Sequence, residues 1–417
     1  MKIARDGYLK ELLDRQQNGM IKVITGMPQS GKSYLIFNLF YEHLIKNDVP
    51  EDHILKLSLN DAPGQILRKP AAMLSWAENQ IKDSKQYYFI IDDIQLLENF
   101  PQVLNSCQHI QNLDIYVAGS DLYYLIANMH SEYRGRWEVI HIYPLSFAEY
   151  LPACNMLERT ALEEYLRYGG SPHILSCKST EKKRLFLKEL LRKIYRQDTT
   201  GFNRVLRFDE LEKIIEFYAS TAGSFLSMRG LENRLKEKDE RAVSINTIRA
   251  YSLSLQGIFL INMVTRYDVK KRKHIASPVK FYFEDTGIRN ACLKFQNFDM
   301  RQLMENAIYN ELCCRHFSVD TGIITTYKTN PDGCQVRNNL TVDFVANLGD
   351  RRYYVQSVPQ IYDCSEFEAK KHALSKIRDG FRKIIVTYDD VSPHYNNDGF
   401  LIIGLAGFLK NHNSLDL

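Results

Sequence analysis

Gly26-Met27-Pro28-Gln29-Ser30-Gly31-Lys32-Ser33 carries the spacing GxxxxGK[ST]. Glycines at the ends of such a loop permit backbone angles that other residues avoid and let the main chain approach an anion closely. N–H groups at the start of the following helix then point at phosphate, with the helix dipole behind them. In this pattern Lys32 reaches the β- and γ-phosphates and Ser33 ligates Mg²⁺. Together with Tyr34, the octapeptide is expected to hold a nucleoside triphosphate, ATP with Mg²⁺.

A second acidic segment fits the same chemistry. Tyr88-Phe89-Ile90-Ile91-Asp92-Asp93 is an apolar run that ends in two acids. A buried strand of this kind delivers a carboxylate beside the metal. Asp92 is the expected metal-side acid, and Asp93 the base that orients attacking water. Ser120, after the apolar run Ile115–Ala118, is the candidate sensor of the γ-phosphate or the water. Arg134-Gly135-Arg136 precedes the next apolar run, and Arg136 is the candidate for neutralising γ-phosphate charge, in cis or across a subunit interface.

Elements that could position these groups are legible in the first third of the chain. Strands are expected at Lys22–Thr25, Ile54–Leu59, Tyr87–Ile91, Ile115–Ala118 and Val139–Ile142, with helices between them, including Lys32–Lys46 and Ala72–Ile81. Strands alternating with helices imply a parallel sheet covered on both faces. The strand between the P-loop strand and the acidic strand points to the class of P-loop proteins that hydrolyse ATP with a base in the acidic motif.

The rest of the chain changes character twice. From Leu151 to Ile288 the apolar spacing is mostly helical, and from Ala307 short strands return around a helix at Glu366–Ile377. The 417 residues suit about two to four domains. Lys and Arg exceed Asp and Glu by 54 − 50 = 4, too weak a bias to mark a nucleic-acid binder by itself. The eight cysteines include no CxxC pair, which argues against a zinc motif or disulfide framework and for a reduced, cytoplasmic protein. Met1–Leu9 lacks the apolar run of a signal peptide, and no apolar run is long enough to span a membrane.

Several of these motifs resemble one known family. Ile21–Gly26, the acidic strand with Ile94-Gln95, Tyr143-Pro144-Leu145-Ser146-Phe147, Gly169-Gly170-Ser171-Pro172 and Lys280-Phe281-Tyr282-Phe283-Glu284-Asp285-Thr286-Gly287 look like the prokaryotic AAA-type ATPases. Members carry a C-terminal domain of unknown function with a restriction-endonuclease-like core. The resemblance covers nearly the whole chain. It implies an α/β fold with four parts: an AAA-like core with a five-stranded parallel sheet at 1–150, a helical lid-like segment at 151–205, a winged-helix-like domain at 206–292 and a small nuclease-like α/β domain at 300–410. Two departures stand near the phosphate. Many relatives have basic residues at the positions of Pro28 and Gln29, and glutamate at that of Asp93. The shorter Asp93 sets a water differently, which points to slow hydrolysis.

Two further sites are expected. Ser227–Leu235 and Ser244–Gln256 fit a helix-turn-helix, with Ser244 as N-cap and Ile248, Tyr251 and Leu255 on the core face. Asn246, Thr247, Arg249 and Ser252 would then face outward toward DNA. Lys270-Lys271-Arg272-Lys273, between wing strands Phe259–Tyr267 and Ser277–Phe283, could grip a DNA backbone; the bland alternative is a solvated turn on a protein-binding winged helix. In the C-terminal unit, Glu311 and Asp343 supply acids, but the resemblance places Gln356 and Val358 where a metal nuclease needs an acid and a lysine. That domain is expected to be catalytically inactive. The functional reading is Mg-dependent ATP hydrolysis coupled to DNA or a protein partner, in a chain that could form homo-oligomers. A non-hydrolysing, nucleotide-gated interaction protein is the alternative, and an ATP-dependent nuclease the third.

Overall fold

The computed structural model describes residues 3–120, 135–197, 208–238, 243–296, 298–329, 335–361 and 363–417. Arg134 therefore lies outside the described residues. Helix α1 (Asp6–Asp14) leads into strand β1 (Ile21–Thr25) and then the P-loop. The helix after the loop, α2, begins as α-helix at Lys32–Tyr34, widens to a π-helical stretch at Leu35–Phe40 and closes as α-helix at Tyr41–Lys46. There follow β2 (Ile54–Ser58), α3 (Pro70–Gln80), β3 (Tyr87–Asp92), α4 (Phe100–Gln108), β4 (Leu113–Ala118) and β5 (Trp137–His141).

These five strands form one parallel sheet in the order β2-β3-β4-β1-β5. Every residue of β1 and β3 is buried, because helices cover both faces. Alternation sorts the side chains: Tyr87, Phe89 and Ile91 enter the core shared with α3 and α4, while Tyr88 and Ile90 join the core under α2. β4 lies between the P-loop strand and the acidic strand, so three strand ends converge on one edge. One charge pair is enclosed in this core. Lys22 is 0% exposed and bonds Asp114, whose other oxygen accepts from the Tyr116 hydroxyl at 2.8 Å and the Gln17 N–H at 2.9 Å.

A helical region comes next: α5 (Phe147–Cys154), α6 (Glu158–Tyr168), α7 (Thr180–Gln197), α8 (Phe208–Ser220), α9 (Met228–Lys238) and α10 (Ile245–Gly257). Strands β6 (Ile261–Asp268) and β7 (Lys273–Phe283) form the expected hairpin, followed by α11 (Thr286–Cys292) and α12 (Met300–Cys314). The C-terminal part adds β8 (Ser318–Thr329), β9 (Gln335–Leu348), β10 (Arg351–Val358), α13 (Cys364–Ser375), β11 (Arg382–Thr387), β12 (His394–Tyr395), β13 (Leu401–Gly404) and α14 (Leu405–Lys410).

The hairpin is not a free-standing wing. β6 pairs in parallel with β8, so the hairpin forms the edge of an eight-stranded sheet ordered β12-β13-β11-β10-β9-β8-β6-β7. Among the described residues, no helix is long and apolar enough to cross a membrane.

Candidate functional site

β1 ends at Thr25, and the chain turns at Gly26 with φ +142°. A Cβ there would stand 2.3 Å from the Ile142 carbonyl oxygen, so only glycine lets this loop pass the end of β5. Gln29 (φ +65°) and Gly31 (φ +102°) complete the turn into α2. A left-handed glutamine costs on the order of 1 kcal/mol, a strain held by the surrounding contacts. The Lys32 ammonium folds back to donate to the carbonyls of Gly26 (2.8 Å) and Met27 (2.9 Å). Ser30 Oγ is buried without a hydrogen-bond partner among the described residues.

Asp92 lies at the end of β3 and is 7% exposed. Burial and the neighbouring Asp93 raise its pKa, while the Ser33 hydroxyl, the Asp93 N–H and the Lys32 charge oppose the shift. A buried carboxylate beside a serine hydroxyl and a lysine is a donor set that suits a divalent cation and phosphate together. The residues present thus fit Mg²⁺-ATP, with Lys32 for phosphate and Ser33 and Asp92 for the metal. Gly26→Ala is expected to force the loop off Ile142 and to weaken ATP binding about tenfold or more, given the usual cost of a forbidden backbone angle. Titration with a fluorescent ATP analogue checks this, and an unchanged Kd would contradict it.

Asp93 takes a left-handed conformation at φ 57°. Its carboxylate is fixed by two amides, Asn60 at 3.1 Å and Gln95 at 3.2 Å. Ser120 stands half-buried just past β4, where the Gly119 N–H bonds the Ile24 carbonyl at 3.0 Å. The structure therefore brings Lys32, Ser33, Asp92, Asp93 and Ser120 to the same end of the sheet.

For Arg136 the structure corrects the expectation of a role in cis. It sits before the first residue of β5, where its carbonyl accepts from Ile21 N–H at 2.9 Å and its guanidinium bonds Asn105 at 2.5 Å. That is the opposite end of β1 from Gly26, about 15 Å away at the usual strand rise. Arg136 cannot serve this chain's own P-loop.

Two positioning residues had no sequence signal. Arg5, 3% exposed, donates to the Ser30 carbonyl (3.0 Å) and the Tyr143 carbonyl (2.7 Å) and pairs with Glu149 (3.0 Å). It ties the P-loop to α5, whose N-terminus is a capping box between Ser146 and Glu149. His141, at the end of β5, meets Thr25 Oγ1 through Nδ1 and Glu284 through Nε2, each at 3.2 Å. Glu284 lies at the end of β7, so this imidazole connects the base of the P-loop to the second sheet.

The quoted glycine motifs interlock around the same place. Ser171 Oγ donates to the Gln29 carbonyl at 3.4 Å. The Gly170 N–H and the Ile288 N–H both bond the Asp285 carboxylate, at 2.8 and 2.9 Å. Burial pushes Asp285 up to about 6 against these donors. A Cβ on Gly169 would meet Asp285 at 2.1 Å, and one on Gly287 the Tyr168 carbonyl oxygen at 2.0 Å. The spacing of these glycines had no obvious reading until their two segments were seen in contact.

In the helix pair, Ser244 caps α10 by accepting from Thr247 N–H at 3.2 Å, and Ile248, Tyr251 and Leu255 are buried as expected. Asn246 and Arg249 are exposed; Thr247 is half-buried, its hydroxyl 2.8 Å from that of Ser244. Ser252 corrects the expected outward face: it is 3% exposed and bonded to the Tyr218 hydroxyl at 2.6 Å. Lys271, Arg272 and Lys273 are exposed at the hairpin tip, whereas Lys270 reaches across to the Thr325 carbonyl at 2.9 Å.

In the C-terminal unit the acids are not grouped as expected. Glu311 points away from Asp343 and pairs with Arg315 at 2.7 Å, because its helical position faces α14. The acid on the Asp343 side is Glu305, which takes Lys280 and the Tyr282 hydroxyl, both at 2.6 Å. Asp343 accepts from Lys370 at 2.6 Å and from the Ser357 N–H at 2.8 Å, with Lys280 3.9 Å away. These lysines hold Asp343 below the usual carboxylate range despite its burial. The Gln356 amide is taken up by the backbone of Asp343 (3.1 Å) and Thr341 (2.9 Å), and Val358 is fully buried.

Comparison with known proteins agrees with the first sheet. Residues 18–151 match the model of an AAA domain, and residues 159–299 that of a domain of unknown function (DUF8612). An uncharacterized protein of Haemophilus influenzae is 27% identical over 392 residues, 92% of this chain and 93% of its own. Another, MJ1544 of Methanocaldococcus jannaschii, is 23% identical over 390 residues, covering 89% and 82%. The Walker-type ATPase PABY2304 of Pyrococcus abyssi is 12% identical, with a TM-score of 0.49 over 70% of this chain and 96% of that one. Residues 18–151 are thus similar in sequence to an AAA domain, over the five-stranded parallel sheet that carries the P-loop.

Proposed function

We propose that this chain binds ATP with Mg²⁺ at Gly26–Tyr34, hydrolyses it, and couples nucleotide state to the binding of DNA or a protein partner. The observation that carries the reading is the buried Asp92 carboxylate beside Ser33 and Lys32 at the mouth of a glycine-strained loop. In this scheme Lys32 leaves the loop carbonyls for the phosphates, and N–H groups at the start of α2 receive them. Ser33 and Asp92 would hold the metal, which would supply positive charge to offset that developing on the transferred phosphoryl group. Asp93, fixed by Asn60 and Gln95, orients the water, and Ser120 meets the γ-phosphate side. An arginine for the γ-phosphate would have to come from another subunit of a homo-oligomer, the one role the position of Arg136 leaves open to it.

Coupling has two physical routes. Thr25–His141–Glu284 and Gln29–Ser171 both join the loop to elements beyond the first sheet. DNA contact would use Asn246, Thr247 and Arg249 at the start of α10 together with Lys270, Lys271, Arg272 and Lys273. The lysine-neutralised Asp343 and backbone-bound Gln356 support an inactive nuclease-like domain. A second reading, a nucleotide-gated adaptor with little turnover, is favoured by Asp93: it is short, left-handed and held by two amides.

Steady-state ATP turnover of the wild type, Lys32→Ala and Asp92→Asn, with and without duplex DNA, tests the proposal. Both variants are expected to lose turnover by about 100-fold or more, as removal of transition-state charge stabilisation does. Tight ATP binding without Lys32-dependent turnover would establish the adaptor instead.

A further inference from the structure

The β8–β9 hairpin carries a feature that the nucleotide site and the helix pair do not use. Its distal strands, Thr321–Thr329 and Gln335–Val342, contain no acidic residue. Tyr327 and Arg337 are directly opposite in the antiparallel register, and Tyr327 is 65% exposed. Arg337 is exposed and, among the described residues, bonds two neutral groups: Thr325 Oγ1 and Asn339 Oδ1, both at 3.3 Å. Thr325 also carries the carbonyl that receives Lys270 from the neighbouring hairpin tip.

Arg266 approaches from β6. Its Nη2 donates to the Ser277 carbonyl, its Nε is buried without a hydrogen-bond partner, and its guanidinium lies 5.9 Å from the ring of exposed Phe225. Partial burial lowers the Arg266 pKa, and the like charge of Arg337 lowers it further. Arg266 pairs in register with Thr321 of β8, the strand that also carries Tyr327 opposite Arg337, and two guanidiniums on one sheet edge invite an anion, because arginine offers charge-assisted donors to phosphate. Exposed aromatic rings beside such cations suit unpaired bases, which stack on any flat π-face. Among the described residues near this face, Asp268 accepts from Lys271 N–H at 2.9 Å and Asp320 from the Thr265 hydroxyl at 2.6 Å; Asp332, in the loop that joins the two strands, lies outside the described residues.

We infer that this sheet edge is a single-stranded nucleic-acid platform, with Arg266 and Arg337 on the phosphodiester backbone and Tyr327 and Phe225 stacking bases. The surface is distinct from the start of α10 and does not depend on ATP hydrolysis; it borders the Lys270–Lys273 loop through Thr325, and the Arg337 and Tyr327 variants, which leave that loop intact, test it apart from the proposed function. Whether the strand is DNA or RNA is a matter of source, since backbone charge and stacking are common to both.

Fluorescence anisotropy of the full chain with labelled oligo(dT), oligo(U) and a hairpin duplex, across a salt series without nucleotide, tests it. Arg337→Ala alone and with Arg266→Ala is expected to weaken single-strand binding, and the double variant to flatten the log Kd–log salt slope by about 1.4. Tyr327→Ala is expected to weaken oligo(dT) binding about fivefold or more and to leave the duplex unaffected. Arg337 and Tyr327 are exposed, so these variants keep the fold, and melting curves verify that. The stronger of the oligo(dT) and oligo(U) signals identifies the source. No binding of either strand by the wild type, equal affinity in Arg337→Ala and Tyr327→Ala, or a duplex preference lost with Arg337 would each overturn the inference.

Discussion

Asp114→Ala is expected to destabilise the first sheet by about 3–5 kcal/mol, the usual effect of removing one partner of a buried ion pair. The cost arises from Lys22, which is 0% exposed and whose ammonium would be left with the Tyr116 ring, 5.1 Å away, and no ion pair among the described residues. Gln17 N–H and the Tyr116 hydroxyl would lose an acceptor as well. Both tryptophans of the chain, Trp76 and Trp137, pack against this sheet, so their fluorescence during urea unfolding reports on it selectively. An apolar replacement of both members, Lys22→Met with Asp114→Leu, is expected to recover most of the loss, since the penalty belongs to the unpaired charge. A midpoint for Asp114→Ala within error of the wild type would show that Lys22 finds water or another partner.

Asp343→Asn is expected to cost a similar amount, about 3–5 kcal/mol, in the second sheet. An amide cannot neutralise Lys370, which bonds both Asp343 oxygens, and among the described residues Lys280 keeps one carboxylate, Glu305. The pH dependence has a defined sign. The folded-state pKa of Asp343 is depressed, so its contribution is fully present above the unfolded value of about 3.9 and is lost as pH falls through the folded value below it. Lys370 is raised, so its share is present below the unfolded lysine value of about 10.4 and fades only as pH rises through the folded one. The gap between wild type and variant should therefore be flat from about pH 5 to pH 9 and close on acidification. Hydrogen exchange of β9 and β10 amides measures it. Stabilisation of the wild type by Mg²⁺, abolished in Asp343→Asn, would instead mark this cluster as a working metal site.

The chain's nucleotide site was legible in sequence to an unusual degree, because its chemistry is local. A loop that must bend through left-handed angles and end in a helix needs Gly26, Gly31, Lys32 and Ser33 at fixed offsets, and a strand that delivers a buried acid must be apolar up to Asp92. The five strands were legible for the same reason: buried parallel strands are short apolar runs between helices. Periodicity also located α9, α10 and the hairpin, and the exposed Asn246 and Arg249 follow from the helical repeat.

What sequence could not supply were contacts between segments far apart in the chain. Arg5 reaches Ser30 and Tyr143 across 25 and 138 positions, and His141 joins Thr25 to Glu284, pairings that no spacing rule encodes. Arg136 shows the converse. Its position before a strand suggested a role at the phosphate, but strands are vectors, and the parallel register places it at the end remote from Gly26. Glu311 and Glu305 lie on one helix six residues apart, and only the packing of α12 decided which acid faces Asp343 and which faces Arg315. Local backbone demands thus fixed the residues of the P-loop from sequence alone. The sheet register and the packing of buried charges, which depend on the whole fold reaching its lowest free energy together, decided which distant groups hold that loop in place.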